Sequence, residues 1–109
     1  MTGKRIVRRI LACRDIEEAV DYHLREAGER VALAFIDEVE GAFSAIARTP
    51  AAGSPRYAFE LDLPGLRTWS LKRYPYLVFY VEGGDRIDIW RVLHAHRDIP
   101  AWMHGPQGA

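Results

Sequence analysis

The sequence is short of cysteine, of long apolar runs and of any excess of one charge sign. Cys13 is the only cysteine among 109 residues, so no disulfide can form within the chain and a zinc site built from several thiolates is excluded. No segment approaches the ~20 apolar residues of a membrane-spanning helix, and the basic N-terminus lacks the small-residue cleavage site of a signal peptide. These absences predict a cytoplasmic protein.

Motifs that identify common enzymes are also absent. The sequence has no His-Glu-x-x-His pair, no glycine-rich phosphate loop and no nucleophile elbow. His94 and His96 share one face of a predicted strand, and with Asp98 they suggest a metal site or an acid–base pair. The alternative, which we favour, is that His94 closes the strand through a hydrogen bond while His96 lies in an exposed loop. We therefore predict no catalytic residue, no metal site and no cofactor.

Charges balance over the whole chain but not along it. Fifteen Lys and Arg residues match fifteen Asp and Glu residues, which argues against a general nucleic-acid binder held by bulk electrostatics. Residues 4–14 nevertheless carry five basic side chains and no acidic one, whereas residues 15–44 carry nine acidic side chains and two arginines. We expect an acidic half opposite a basic half, and hence a local basic surface on a neutral protein.

The length fits one compact domain with a single modest core, and we place this domain at residues 1–104. Residues 96–104 predict a final short helical segment, in which Pro100 is tolerated near the start. The sequence Gly-Pro-Gln-Gly-Ala at residues 105–109 predicts a disordered tail.

The N-terminal half has the pattern of one strand and two helices. Residues 5–12 are rich in β-branched side chains and predict an opening strand. Asp15 followed by Glu18 has the spacing of a helix N-terminus, and Gly28 supplies the stop. A second helix is predicted over residues 29–48, ending at Thr49-Pro50. The short break between the helices predicts an antiparallel hairpin that covers a sheet.

The C-terminal half predicts three strands, over residues 67–74, 76–82 and 86–93, with Gly83-Gly84 in the hairpin turn. Phe59 and Leu61 are expected to tuck beneath the preceding connection. Ile87 and Ile89 share one face of the last strand while Trp90 and Val92 share the other, which indicates either two covered faces or a bulge.

The predicted element order, β-α-α-β-β-β, defines an α+β fold in which the helical hairpin packs on a mainly antiparallel sheet. A single helical layer would leave the second face of the sheet open. We expect a partner segment to cover that face, burying ~800 Å² of this protein as in an ordinary interface.

A basic surface on the strands is a further candidate site. Five cations alternate there with aromatic side chains that can stack on unpaired bases. The set comprises Arg67, Lys72, Arg73, Arg91 and Arg97, with Trp69, Tyr74 and Tyr76. It indicates either an RNA-binding surface or a solvated sheet edge whose charges prevent aggregation.

The strand block carries a recognisable signature. It runs from Gly65-Leu66-Arg67 through Tyr76-Leu77-Val78-Phe79-Tyr80 to Arg91-Val92-Leu93-His94-Ala95-His96-Arg97-Asp98, with weaker support from the segment Asp15–Tyr22. Together with the element order, this block resembles the RelE/ParE superfamily over residues 4–103, and its ParE branch in particular. The resemblance implies a bacterial toxin that is made together with an antitoxin and neutralised by it.

The nuclease branch of that superfamily cleaves messenger RNA on the ribosome, and this chain departs from its pattern. Tyr76 stands where the nucleases tend to place Arg, Ala95 stands where a second basic residue is expected, and no Tyr follows Arg97. Resemblance to the ParE branch instead implies a non-enzymatic poison that traps DNA gyrase on cleaved DNA. The resemblance thus implies a gyrase poison, with a RelE-like ribosome-dependent ribonuclease as the alternative, and a toxin that only binds its antitoxin as a third interpretation.

Contacts with DNA gyrase are predicted at Arg91, Arg97 and Trp102. Arg and Trp are over-represented among interface residues whose truncation costs ~2 kcal/mol or more. We predict no sequence-specific nucleic-acid binding by the chain alone.

Contacts with a ParD-like antitoxin are predicted at Leu24, Phe35 and Val39. These apolar residues lie at helical steps within the acidic segment, which would attract a basic antitoxin tail.

Overall fold

A computed structural model describes residues 3–104, which form a four-stranded sheet with two long helices on one face. The elements are β1 (Arg5–Arg8), α1 (Ile10–Ala27), α2 (Glu29–Arg48), α3 (Arg56–Glu60), β2 (Leu66–Ser70), β3 (Tyr76–Glu82), β4 (Arg86–His94) and α4 (Ile99–His104), with one 3-10 turn at Pro50–Ala52. The α+β prediction is confirmed. The tail predicted at residues 105–109 lies outside the described residues.

The sheet has the strand order β1-β4-β3-β2. Strands β2, β3 and β4 are antiparallel neighbours, whereas β1 runs parallel to β4 with Ile6 opposite Ile87. The sheet is therefore mainly antiparallel, as predicted, and β3 and β4 lie at its centre.

The two long helices form the predicted hairpin, joined at Gly28. This glycine has a backbone φ of 95° and donates its N–H to the carbonyls of His23 and Leu24, which ends α1. On the inner side of the hairpin, Phe35, Val39 and Ile46 pack with residues of β3 and β4 in the main core.

Helix α1 begins earlier than the sequence predicted. The strand expected over residues 5–12 ends at Arg8, and the helix starts at Ile10 without a side-chain cap. The Arg9 N–H still bonds to Ile89 of β4, while the Arg9 carbonyl accepts from Cys13 and opens the helix. Asp15 consequently lies inside α1 and is buried, so its predicted role as the helix cap is wrong.

A β-bulge resolves the mixed pattern of β4. Tyr80 pairs with Ile89 and Phe79 pairs with Arg91, which leaves Trp90 as the extra residue. The bulge shifts the alternation, so that Val92 joins Ile89 on the helix side while Trp90 packs against the second core cluster.

The second face of the sheet is covered in part by this chain itself, over β2, β3 and the end of β4, which corrects the expectation of an open face. A separate cluster of buried apolar side chains lies there, drawn from the connection before β2, the strands and α4: Leu61, Leu66, Phe79, Leu93, Ile99 and Met103. Leu61 is buried as predicted, whereas Phe59 is 81% exposed and does not tuck beneath the connection. Helix α3 turns Phe59 outward while Tyr57 and Ala58 face the cluster.

No helix within residues 3–104 is both long and apolar enough to cross a membrane.

Candidate functional site

A buried ion pair joins α1 to β4. Arg91 Nε donates to Asp15 Oδ2 and Arg91 Nη2 donates to Asp15 Oδ1, each at 2.8 Å. The side chains are only 3% and 7% exposed respectively. A two-point contact of this geometry compensates the desolvation of both charges, provided that the remaining donors and acceptors are also satisfied.

Two backbone groups complete that pair. The Val92 N–H lies just after the bulge and donates to Asp15 Oδ2 at 2.9 Å, while Arg91 Nη1 donates to the Trp102 carbonyl at 3.2 Å. The pair therefore fastens three elements at one point, with Asp15 on α1, Arg91 on β4 and Trp102 on α4. Sequence spacing gives no signal for this contact, because 76 positions separate the two charged residues.

Arg97, two residues before α4 begins, is stacked on a tryptophan of that helix. The Arg97 guanidinium carbon lies 4.2 Å from the centre of the Trp102 ring, and that of Arg91 lies 5.4 Å from it. Arg97 is exposed and Trp102 is half-buried. We call Arg97 and Trp102 the α4 surface. Asp98 accepts the Ala101 N–H and caps the helix, so its carboxylate is engaged locally.

Beside the α4 surface lies a cleft of about 300 Å³, walled by α1, the ends of β3 and β4, and α4. Tyr76 and His94 line it, with ring centres 5.2 Å apart, and Arg97 stands at its edge. The cleft thus places an imidazole, a phenol and a guanidinium side by side.

The surroundings of His94 lower the pKa of its ring. Desolvation lowers the pKa of His94 below its usual value, and the neighbouring His96 and Arg97 lower it further. His94 Nδ1 accepts the backbone N–H of His96 at 3.1 Å. His94 therefore closes the strand through a hydrogen bond while His96 is exposed, which is the interpretation that the sequence favoured.

The tyrosine in the cleft is also perturbed. Burial raises the pKa of Tyr76, the nearby Tyr22 raises it further, and Arg97 opposes the rise. Among residues 3–104, no cluster of three or more His, Cys, Asp or Glu side chains is arranged to hold a metal ion.

The predicted contact residues divide between surface and interior. Arg97 and Trp102 meet on the surface, but Arg91 is 3% exposed and its donors are bound to Asp15 and α4. Arg91 thus contacts α4 but presents almost no surface of its own. The wider basic patch is not assembled: Lys72 and Arg73 line a separate groove beside α2, and Arg67 donates to the Gly53 carbonyl.

The predicted antitoxin residues divide in the same way. Leu24 is 47% exposed, whereas Phe35 and Val39 are buried in the core. Val39 nevertheless lies at the base of an outer groove of about 270 Å³ between α1 and α2. The other apolar walls of this groove are Ile16, Val20 and Ile36, and its charged rim comprises Arg8, Glu17, Asp21 and Glu40. We call these eight residues the hairpin groove.

Three groove residues were missed as surface candidates because the sequence places them on the apolar stripes. Ile16 and Val20 are four residues apart, and Leu24 continues the same row, so one row of α1 faces outward over the groove. The apolar stripe of α1 is wider than the part of the helix that the sheet covers. Only the packing of the two helices shows which apolar residues remain accessible.

The fold is shared with a solved structure described as "Chromosomal ParDE TA system from P. aeruginosa". The two chains are 20% identical with a TM-score of 0.73, and the match covers 86% of this chain and 98% of the other. The sequence also matches the family model for the ParE toxin of the type II toxin-antitoxin system, parDE, over residues 8–99. The chain therefore belongs to the ParE toxin family, as the strand signature indicated. No curated protein matches the sequence.

Proposed function

We propose that this chain poisons DNA gyrase by binding it through the α4 surface, without making or breaking a covalent bond itself. Membership of the ParE toxin family supports this assignment. The structural observation that carries it is the exposed Arg97 guanidinium stacked on the Trp102 ring. An arginine held against an aromatic ring is already ordered, so little conformational entropy is lost when a partner binds it.

The Asp15–Arg91 pair gives the α4 surface its rigidity. Helix α4 has only six residues, and a helix of that length is not stable by itself in water. Its position depends on Ile99 and Met103 in the second core cluster and on the bond from Arg91 to the Trp102 carbonyl. In this proposal α1 and β4 hold α4 in place, and α4 meets gyrase.

We propose that a ParD-like antitoxin neutralises the chain by binding the hairpin groove. The groove has apolar walls and three carboxylates at its rim, of which Glu40 is paired with Arg8 at 2.7 Å. A basic amphipathic helix suits this combination, because its apolar residues fill the groove while Lys or Arg side chains approach Glu17 and Asp21. Leu24 extends the apolar row toward Gly28, where the two helices are joined.

The gyrase contact is tested by substituting the α4 surface. Purified protein is incubated with gyrase and supercoiled plasmid, and trapped cleavage complexes are counted as linear DNA after detergent and protease treatment. Arg97→Ala and Trp102→Ala should each raise the concentration needed for trapping by about tenfold or more, as expected for hot-spot residues. Phe59→Ala removes a more exposed apolar side chain on α3 and should leave trapping unchanged. Equal trapping by all four proteins would refute the contact.

A ribosome-dependent ribonuclease is the second candidate, and the cleft favours it. A His94 with a lowered pKa is neutral near physiological pH and can accept a proton, and Arg97 beside it can stabilise phosphate charge. Against it, the His94 Nδ1 is already bonded to the backbone of His96. The two candidates differ in whether RNA is cut.

A further inference from the structure

Beyond the proposed function, the structure carries a basic surface on the face of the sheet opposite α1 and α2. Because Ile6 and Ile87 face the helices, strand alternation turns Arg5 and Arg86 to the opposite side. These two arginines are direct neighbours in the parallel register of β1 and β4. Arg9 follows Arg5 along the chain and lies over Trp90 on the same face.

The three arginines form a compact cationic row. Arg5 and Arg9 are four residues apart, which in an extended chain is roughly 13 Å. All three are exposed, with side-chain exposures of 43% for Arg9 and 50% for Arg86. Of the elements on this face, α3 contacts β2 at the far edge of the sheet, and α4 packs with Phe79 and Leu93 in the second core cluster. We call Arg5, Arg9 and Arg86 the β1 strip.

Nearby acidic groups compensate this charge only in part. Asp88 lies between two members of the strip, 3.6 Å from Arg9 and 3.3 Å from Arg86, and is only 17% exposed. Glu82 is bound by Lys4 at 2.7 Å, and Asp85 lies in the adjacent turn. Within residues 3–104, no carboxylate lies within 4.0 Å of the Arg5 guanidinium.

The acidic side chains of the chain are concentrated on the other side of the sheet. Nine of the fifteen lie in residues 15–44, which form most of α1 and α2. The molecule is therefore electrostatically two-sided despite its zero net charge. Such an arrangement orients a protein on a polyanion, with the strip toward it and the helices away from it.

We propose that the β1 strip binds the phosphate backbone of double-stranded DNA without reading its sequence. Exposed arginines in a row suit phosphate oxygens, which they meet with paired N–H donors. The adjacent aromatic ring does not offer a free platform for unstacked bases, because the Arg9 guanidinium carbon lies 4.7 Å from the Trp90 ring centre. This geometry favours an intact duplex over a single strand.

Binding to DNA is measured without gyrase, so its failure leaves the proposed function untouched. A fluorescent duplex of about 30 base pairs is titrated with the antitoxin-free chain, and fluorescence anisotropy is recorded from about 50 to 200 mM salt. Three phosphate contacts predict a slope of about −2.7 for log affinity against log salt concentration. The same titration with a single strand of equal length should show weaker binding.

Two variants that each lose two positive charges test whether DNA binds at the β1 strip. Arg5→Gln/Arg86→Gln should reduce the salt slope to about −0.9, because two of three phosphate contacts are lost. Arg25→Gln/Arg30→Gln removes the same charge from the end of the helical hairpin and should leave the slope unchanged. Circular dichroism and melting temperature verify that both variants fold. The proposal is overturned if the parent chain does not bind the duplex at the lowest salt concentration, if the single strand binds more tightly, or if both variants weaken binding equally.

Discussion

Asp15 and Arg91 form a two-point ion pair across the interior of the protein, with both N···O distances at 2.8 Å. The carboxylate also accepts the Val92 N–H, and the guanidinium also donates to the Trp102 carbonyl. One buried contact thus joins the first helix, the bulged strand and the last helix. This arrangement makes the position of the α4 surface depend on residues that a partner cannot touch.

Removing one member of the pair should be far more damaging than replacing both. Asp15→Ala leaves the Arg91 guanidinium buried without a counter-charge, and we expect unfolding free energy to fall by ~3–5 kcal/mol. Asp15→Leu/Arg91→Met replaces the pair with apolar side chains and should cost much less than Asp15→Ala, because only the Val92 N–H and the Trp102 carbonyl lose a partner. Urea unfolding measures both. Arg56→Ala, which removes an exposed ion pair with Glu60, is the control; an Asp15→Ala variant as stable as this control would contradict the account.

The double replacement should still loosen α4. Without the Arg91 donor, the Trp102 carbonyl loses its hydrogen bond, so amide hydrogens of α4 should exchange faster while those of α2 remain protected. Hydrogen exchange with mass spectrometry resolves the two helices. Equal protection of α4 in the parent and the double variant would show that the pair does not position this helix.

Two glycines should respond in opposite directions to alanine. Gly28 has φ 95° and ψ 174°, a region that only glycine occupies readily, and a Cβ there would meet no atom within 4 Å. Gly28→Ala should therefore destabilise the chain by ~1–3 kcal/mol through backbone strain alone. Gly41 lies within α2 and also has open space around it. Gly41→Ala should stabilise the chain by ~0.5–1 kcal/mol. Thermal unfolding compares Gly28→Ala with Gly41→Ala. A shift of the melting temperature in the same direction for both variants would refute the argument.

Stability should fall in mild acid because of His23. Its ring packs among Phe35, Tyr74 and Tyr76, and burial lowers the pKa of His23 below its usual 6.5. The folded state then binds this proton less readily than the unfolded state. The contribution of neutral His23 to the free energy of unfolding is therefore fully present above the unfolded pKa of 6.5. It declines as pH falls toward the lowered pKa of the folded state.

Urea midpoints at about pH 7.5 and 5.5 measure this dependence. His23→Phe should flatten it in part, and the lowered pKa of His94 should account for some of the remainder. A parent chain whose midpoint does not change between these pH values, or a variant with the same decline as the parent, would be inconsistent with a desolvated His23.

Antitoxin binding should depend on the hairpin groove and on salt. Val20→Ala and Leu24→Ala should each raise the dissociation constant by about tenfold, since each removes ~1.4 kcal/mol of apolar contact. Phe59→Ala should have no effect, because Phe59 lies on α3 outside the groove. Added salt should slow association more than it speeds dissociation. Surface plasmon resonance gives both rates, and an association rate that is insensitive to salt would exclude steering by the acidic helices.

The regular elements of the fold were predictable because their signals are local. The helix over Glu29–Arg48 shows its 3.6-residue periodicity directly, and both ends agree with the prediction. The strand Tyr76–Glu82 was also predicted with its observed bounds. Gly28 was recognised as the stop because a positive φ favours glycine.

The candidate site was less predictable because it depends on contacts between distant residues. Asp15 has the spacing of a helix cap, and only the fold shows that its partner is Arg91. The exposure of apolar residues was predicted wrongly for a related reason. Phe35, Val39 and Phe59 are all apolar, and only the packing of the folded chain shows that the first two are buried and the third is exposed. The cover on the second face of the sheet was missed because α3 has five residues, too few for a helical period to emerge.

The most direct test of the central claim compares two activities of one preparation. Purified chain is added to gyrase with supercoiled plasmid, and separately to translating ribosomes with a defined messenger RNA; His94→Ala is carried through both assays. The account predicts trapped double-strand breaks in the plasmid, intact message, and trapping by His94→Ala at a similar concentration. Codon-dependent cleavage of the message that disappears in His94→Ala, with no trapped plasmid, would contradict it.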